Sequence, residues 1–191
     1  MALDITRIPF GLADITIGEG ADAIAFDGLD ELQAEGGDVT LTPVTEDIVI
    51  ADYGTSPYDQ RIVGYEGSVT IVAAQESIDV LQLALTASDP ITETASGETV
   101  GIMDSAIGSS LRARALPVRI HPRRLPDSVR DLDIFIYKMA ANGDFTRGQA
   151  NEQGNVTITL NMFPRDGMDP SKPGNFFYIG GVDPNGAGAG A

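Results

Sequence analysis

The chain has 191 residues, enough to bury one sizeable core, and its apolar content is ordinary for a folded domain. The formal charge is −16, from 28 acids against 12 bases, which argues against gripping a phosphate backbone. There is no cysteine, so disulfides and thiolate chemistry are excluded, and no apolar run nears the ~20 residues of a bilayer span. Met1-Ala2-Leu3-Asp4 lacks the charged-then-apolar order of a signal sequence, so a soluble protein made in a cytoplasm is expected.

The predicted elements are mostly strands. Leu12 to Ile17 and Ala23 to Phe26 are short strands around a Gly18-Glu19-Gly20 turn, followed by an acidic, turn-rich stretch from Asp27 to Gly36. Two long strand-like runs come next, Gly37 to Ile50 and Arg61 to Ala73, joined by the polar and aromatic connection Ala51 to Gln60. Fourteen extended residues reach about 46 Å at ~3.3 Å each, against a usual strand of about 5–6 residues. Arms of that length project past a small domain's own core, and their open edges invite neighbours. In the first arm Val39 and Leu41 are apolar at odd positions, whereas Val44, Ile48 and Ile50 are apolar at even ones. A bulge near Pro43 would produce that change of phase. In the second arm Val63, Tyr65, Val69 and Ile71 share one face and Glu66, Ser68 and Thr70 the other, with Gly64 and Gly67 easing curvature.

A helix is expected over Glu76 to Thr86, capped by Ser77, with Asp79 in its first turn and Ser88-Asp89-Pro90 as its stop. Ile78, Leu81 and Leu85 form its apolar stripe, widened by Val80 and Leu83. Ile91 to Ser110 reads as a loop with a strand near Val100. Strands are then predicted over Leu111 to Ile120, Leu132 to Met139 and Val156 to Phe163. The last has Val156, Ile158, Leu160 and Met162 on one face and Asn155, Thr157, Thr159 and Asn161 on the other. Asn142-Gly143-Asp144 is a turn. The sequence divides into one domain over residues 1–180, with an N-terminal arm (1–10) and a C-terminal arm (164–180), and a flexible Gly/Ala-rich tail (181–191). Asn175 to Ile179 is aromatic, and either docks on a neighbour or plugs the domain's own core.

Charge is unevenly placed. Up to Gln60 the only base is Arg7, against more than ten acids, while Arg112, Arg114, Arg119, Arg123, Arg124 and Arg130 supply half of the twelve bases. The pattern suits head-to-tail association of copies, or pairing between the two halves of one chain.

Sites for chemistry are sparse. His121 is the only histidine and lies in the basic, proline-bounded run His121-Pro122-Arg123-Arg124, which reads as a surface turn whose arginines depress its pKa. No orienting acid stands beside it, so a Ser–His–Asp site is disfavoured. No G-x-S-x-G, phosphate loop or dinucleotide fingerprint occurs. Asp27, Asp30, Glu31, Glu35 and Asp38 do not match a calcium-loop spacing and read as a solvated acidic loop. Asp131 and Asp133 could pair as acid and base, or simply decorate a strand. No catalytic residue, metal or cofactor is expected.

The order of long hairpin, short helix, later strands and closing strand resembles the tail tube proteins (major tail proteins) of long-tailed bacteriophages. The most similar segments are Gly64-Tyr-Glu-Gly-Ser-Val-Thr-Ile71, Ala74-Gln-Glu-Ser-Ile-Asp-Val-Leu81, the strand Val156 to Pro164 and the early Gly11 to Gly18 strand. The likeness covers most of residues 8–165, in pattern more than in letters.

The resemblance implies a mainly β fold: a β-sandwich with a long hairpin and one flanking α-helix. Six copies would close a ring whose arms merge into an inner β-barrel. Rings would stack around a tape-measure protein, between a tail terminator and distal tail or baseplate proteins, in a virion assembled in the host cytoplasm. DNA would pass through without specific binding, and no membrane is involved. Asp38, Glu46 and Glu66 are the candidates for an acidic lumen. Asp52, Tyr53, Pro57, Tyr58 and Asp59 are the candidates for contact with the next ring. Arg112, Arg114, Arg123, Arg124, Phe176, Phe177 and Tyr178 are the candidates for subunit contact. A ring-forming tail terminator or connector is an alternative within the same family. A soluble carbohydrate-binding-like module, with Tyr53, Tyr58 and Tyr65 as its aromatic platform, is the alternative from another class.

Overall fold

The computed structural model describes residues 8, 10–148, 151 and 153–186. Residues 1–7 and 9 of the expected N-terminal arm and 187–191 of the expected tail lie outside them. The fold is mainly β. In chain order the elements are β1 (Ala13–Ile17), β2 (Ile24–Phe26), β3 (Gln33–Ile48), β4 (Asp59–Ala73), α1 (Ile78–Ala84), β5 (Ser88–Thr92), β6 (Thr99–Asp104), α2 (Leu111–Arg114), β7 (Leu116–Pro122), β8 (Ile134–Ala141), β9 (Val156–Phe163) and β10 (Phe177–Ile179).

Seven strands follow one continuous antiparallel path, β2-β1-β7-β8-β9-β4-β3, and β10 adds to β8. The sheet curls strongly. The side-chain amide of Gln33, the first residue of β3, donates to the carbonyls of Ala13 (2.8 Å) and Phe26 (2.7 Å), at the far end of the strand order. Gly37 allows the close β3–β4 pairing at this irregular point of the ladder, since a Cβ there would lie 2.5 Å from the Thr70 carbonyl oxygen of β4. Inside the curl sits one core: Ile15, Ile17 and Phe26, Val69 and Ile71, Val80 and Leu83, Val118 and Ile120, Ile136 and Met139, and Val156, Ile158 and Leu160. Each such side chain contributes about 1.5–3 kcal/mol by leaving water.

The irregularity expected near Pro43 lies on the opposing strand, so β3 alternates without a break and its apolar residues change face. Val44 pairs with Gly64 but Thr45 with Ile62, so the extra residue, Val63, is on the opposing strand. Half-burial passes from Val39 and Leu41 on one face to Val44 and Ile48 on the other, with Ile50 beyond the strand. Pro43 is tolerated because β3 has a partner on one side only.

Several expectations are corrected. The helix α1 is capped by Ser77, whose oxygen accepts from the Val80 amide at 3.1 Å, but it buries Val80, Leu83 and Ala84 rather than Ile78, Leu81 and Leu85. The proposed stop Ser88-Asp89-Pro90 is instead the start of β5. It pairs with β6, so the expected loop is a hairpin and the strand near Val100 has a partner. Leu111 to Arg114 form a second, four-residue helix, capped by Ser110, where a strand was expected. There are thus two helices among the described residues, not one.

Candidate functional site

The β3–β4 ribbon is the feature that leaves the body of the fold. Its two strands have 16 and 15 residues. β4 pairs with β9 only from Ser68 to Ala73, so its outer stretch, Asp59 to Gly67, is hydrogen-bonded to β3 alone. β3 ends the strand order and, among the described residues, has no second strand neighbour along its length. The outer ribbon therefore presents two free edges. Beside the β4 edge lies a groove of about 280 Å³ lined by Ile62, Val63, Tyr65, Met168, Pro173 and Phe176. Ile62 and Val63 are more than half exposed there.

The register sorts the ribbon's faces. Residues directly opposite in an antiparallel pair project to the same side. Asp38 lies opposite Thr70, Thr42 opposite Glu66, and Glu46 opposite Arg61. From Asp38 to Glu46 the alternation of β3 is unbroken, since the extra residue is on β4. Asp38, Glu46 and Glu66 consequently share one face, with Thr40, Thr42, Ser68 and Thr70 and with one apolar residue, Val44, opposite Gly64. The β4–β9 register continues that face through Asn161 and Thr159, opposite Ser68 and Thr70. Its other side, at Val69 and Ile71, is the core. Arg61 is the one base on this polar face of the ribbon, placed opposite Glu46.

The ribbon's tip is a compact turn. The amide of Tyr53 donates to Ile50 O at 2.9 Å and that of Tyr58 to Ile48 O at 2.8 Å, with Gly54 in the left-handed region at φ +88°. This brings Tyr53 and Tyr58 together, with ring centroids 5.7 Å apart and planes 15° from parallel. The rings are 71% and 66% exposed, an apolar surface with no cover from its own chain. Asp52 and Pro57 are exposed beside them, and Asp59 opens β4 opposite Ile48.

The arginines are engaged within the chain. Arg112 meets Asp166 at 3.0 Å and donates to the carbonyls of Pro164 and Arg165. Asp166 also takes Lys138 at 2.7 Å, and that hydrogen bond, with the charges of Lys138 and Arg112, holds its carboxyl below the usual range. Arg114 pairs with Asp89 at 2.6 Å. Arg123 pairs with Asp14 at 2.5 Å and donates to Phe26 O. Arg124 follows Arg123 at the start of the β7–β8 connection. Arg123–Asp14 joins the basic and acidic halves of one chain, the second of the two arrangements the charge pattern allowed.

The aromatic cluster docks on its own sheet. β10 pairs with the start of β8, Phe176 and Phe177 pack on Tyr65 with centroids 5.6 and 5.8 Å away, and Tyr178 stacks on Phe135 at 5.0 Å. The chain then turns back, so that Tyr137 Oη donates to Asp183 at 2.6 Å and Asn185 Nδ2 donates to Tyr137 Oη at 2.8 Å. Burial, reinforced by Asp183, pushes the Tyr137 phenol up to about 12. Residues 183–185 are therefore held on the sheet, inside the stretch expected to be flexible.

His121 is not on a surface turn. It lies in β7, opposite Asp14 of β1, and is 8% exposed. Its Nδ1 is 2.5 Å from Asp133 Oδ1 and its Nε2 is 3.2 Å from Leu125 O. Burial lowers its pKa, but the Asp133 and Leu125 hydrogen bonds and the charges of Asp133 and Asp127 outweigh that and raise it above the usual 6.5. The expected depression by arginine is thereby reversed, and the missing orienting acid is Asp133, twelve residues on and across a hairpin. With both nitrogens facing acceptors, the ring has none left for a substrate proton.

The acidic loop is also built into the fold. Asp27 accepts from the amides of Leu29 and Asp30, which hold its carboxyl below the usual range, and Glu31 accepts from Gln75 and Ser77. Among the described residues no group of three or more His, Asp or Glu side chains is placed to hold a metal ion, and no helix is long and apolar enough to cross a membrane. Compared with known families the sequence matches no family model, and no curated protein sequence matches it significantly.

Proposed function

We propose that this chain is a structural subunit of a bacteriophage tail tube. Six copies close a ring, their bodies forming a sandwich-like outer layer and their ribbons an inner β-barrel. Stacked rings make a hollow tube around a tape-measure protein, and DNA later moves through it. The observation that carries the reading is the outer β3–β4 ribbon, with both edges unpaired. The two strands run antiparallel, so rotation of one copy onto the next brings a β3 edge against a β4 edge with the same strand polarity as inside the ribbon. Closure into a ring pairs the ribbon edges that the isolated chain leaves bare.

The sorting of the ribbon's faces supports the rest. Asp38, Glu46 and Glu66 share a face with Thr and Ser hydroxyls, with Val44 and with one base, Arg61. A wall of that composition offers a phosphate backbone few counterion-releasing contacts, so DNA slides past it. Screening over about 8 Å keeps the repulsion local to the wall. The stacked Tyr53–Tyr58 pair is the contact toward the next ring.

Negative-stain electron microscopy of purified protein, alone and with a tail initiator, tests the assignment. Tubes with a regular ring repeat are the expected result. Single rings that never stack would convert the assignment to a terminator or connector. A monomer under all assembly conditions, binding glycans on an array, would replace it with the ligand-binding reading.

A further inference from the structure

The connection between β7 and β8 folds back over the outer face of β1 and β7. Three contacts hold it. Leu125 is buried, its amide donating to Pro122 O at 2.9 Å. Arg123 reaches Asp14 of β1 and the Phe26 carbonyl of β2. The third contact is His121, which reaches both ends of the connection: Nδ1 to Asp133, where β8 approaches, and Nε2 to the Leu125 carbonyl near its start. Asp133 O in turn accepts from the Gly180 amide at 2.9 Å, so the end of β10 is fastened to the same point.

A carboxylate and a carbonyl oxygen are both acceptors. Neutral imidazole has one N–H and can satisfy only one of them, whereas imidazolium has two and satisfies both. Leaving a buried acceptor facing a ring lone pair costs the interaction and adds repulsion. We propose that His121 is a proton-dependent clip. As imidazolium it fastens the β7–β8 connection to the sheet, and loss of its proton loosens residues 122–133 together with the Arg123 contact that covers β2.

The surrounding groups favour the charged ring. The hollow beside it, about 200 Å³, is lined by Asp14 of β1, Asp27 beyond β2, Arg119 of β7, Asp127 and Arg130 of the connection, and Asp133. Asp14 is neutralised by Arg123, and Arg130 Nε donates to the Asp127 carbonyl at 3.2 Å. Asp133 and Asp127 are the acids whose charges act on the ring. A folded pKa above 6.5 means the clip's contribution is complete below about pH 6.5 and is lost as pH rises through the folded value, beyond which it is flat.

A single histidine makes the test unambiguous. Ring-nitrogen NMR of the full-length wild-type chain should show both nitrogens protonated at pH 6.5, with a midpoint above that value. Hydrogen exchange, corrected for its intrinsic pH dependence, should show protection over 122–133 falling across the same midpoint. The fall should be about tenfold for each unit separating the midpoint from 6.5, with β4 and β9 unchanged. Asp133→Asn should lower the midpoint, and His121→Gln should make protection of the connection independent of pH. A ring that is neutral at pH 6.5, or protection over 122–133 that stays level through the midpoint, would overturn the proposal.

Discussion

The two ends of the sheet treat their hydrogen-bonding edges in opposite ways. At one end β2 has three residues, and side chains and loop close over it. Phe26 O accepts from both Gln33 and Arg123, and Ala25 O accepts from the Glu31 amide at 3.0 Å. At the other end β3 runs for 16 residues with its outer side bare, and the outer part of β4 is open as well. Exposed edges are a hazard that folded proteins blunt with short strands, charges or cover. This protein covers one edge and leaves the longer one uncovered, with Pro43 and the acids Asp38, Glu46 and Asp47 along it. An edge left open beside a covered one gives association a direction, which is the condition for growth by copies rather than for random aggregation.

The largest expected effect comes from breaking the open edge. Thr45→Pro together with Asp47→Pro should abolish higher-order assembly in electron micrographs while the far-ultraviolet circular dichroism of the monomer is retained, because these residues share the outward backbone phase of Pro43 and lie beyond the β4–β9 pairing. Assembly at the wild-type level would show that the β3 edge takes no part. The next effect concerns the root of the ribbon. Ile158 is fully buried in β9, opposite Ile71 of β4. Ile158→Ala should cost about 2–5 kcal/mol in chemical denaturation.

The covered edge should respond more mildly. Arg123→Ala removes the Asp14 pair and one donor to Phe26 O, both half-buried. A loss of about 1–3 kcal/mol is expected, read as a fall in Tm of about 2–4 °C per kcal/mol. Assembly should persist at temperatures where the variant is folded. The smallest effect on the monomer belongs to the tip. Tyr53→Glu with Tyr58→Glu should leave stability within about 0.5 kcal/mol of wild type, because neither ring is covered by its own chain. The same pair should shorten or eliminate tubes while leaving rings. Tubes of unchanged length would sever the tip from ring stacking.

What was legible in the sequence, and what was not, follows the same division. The ribbon was readable because two long extended runs around a turn form a local structure, and the slip of apolar phase after Pro43 pointed to an irregularity that the register places at Val63. The alternation of β9 and the Ser77 cap were equally local signals. The misreadings involve partners distant in sequence or short elements. Pro90 looks like a terminator because it has no N–H, yet in a two-stranded hairpin it needs pairing on one side only. The four residues of α2 are too few to show a helical period. His121 was misplaced because its acid, Asp133, comes into reach only when β7 and β8 pair. The polar wall was half visible: the hydroxyl faces of β4 and β9 could each be read alone, but only their register shows that they adjoin.

The strand order has a consequence for timing during synthesis. β3 and β4 are adjacent in sequence and can zip together as soon as they leave the ribosome. The strand that joins them to the sheet by a backbone ladder is β9, which begins at Val156, more than eighty residues after β4 ends at Ala73. The strap that packs on Tyr65 arrives later still, with Phe176 and Phe177. A nascent chain thus carries the ribbon without its ladder neighbour until residues 156–163 have been made, and the fixed orientation of the ribbon on the sheet is acquired only then.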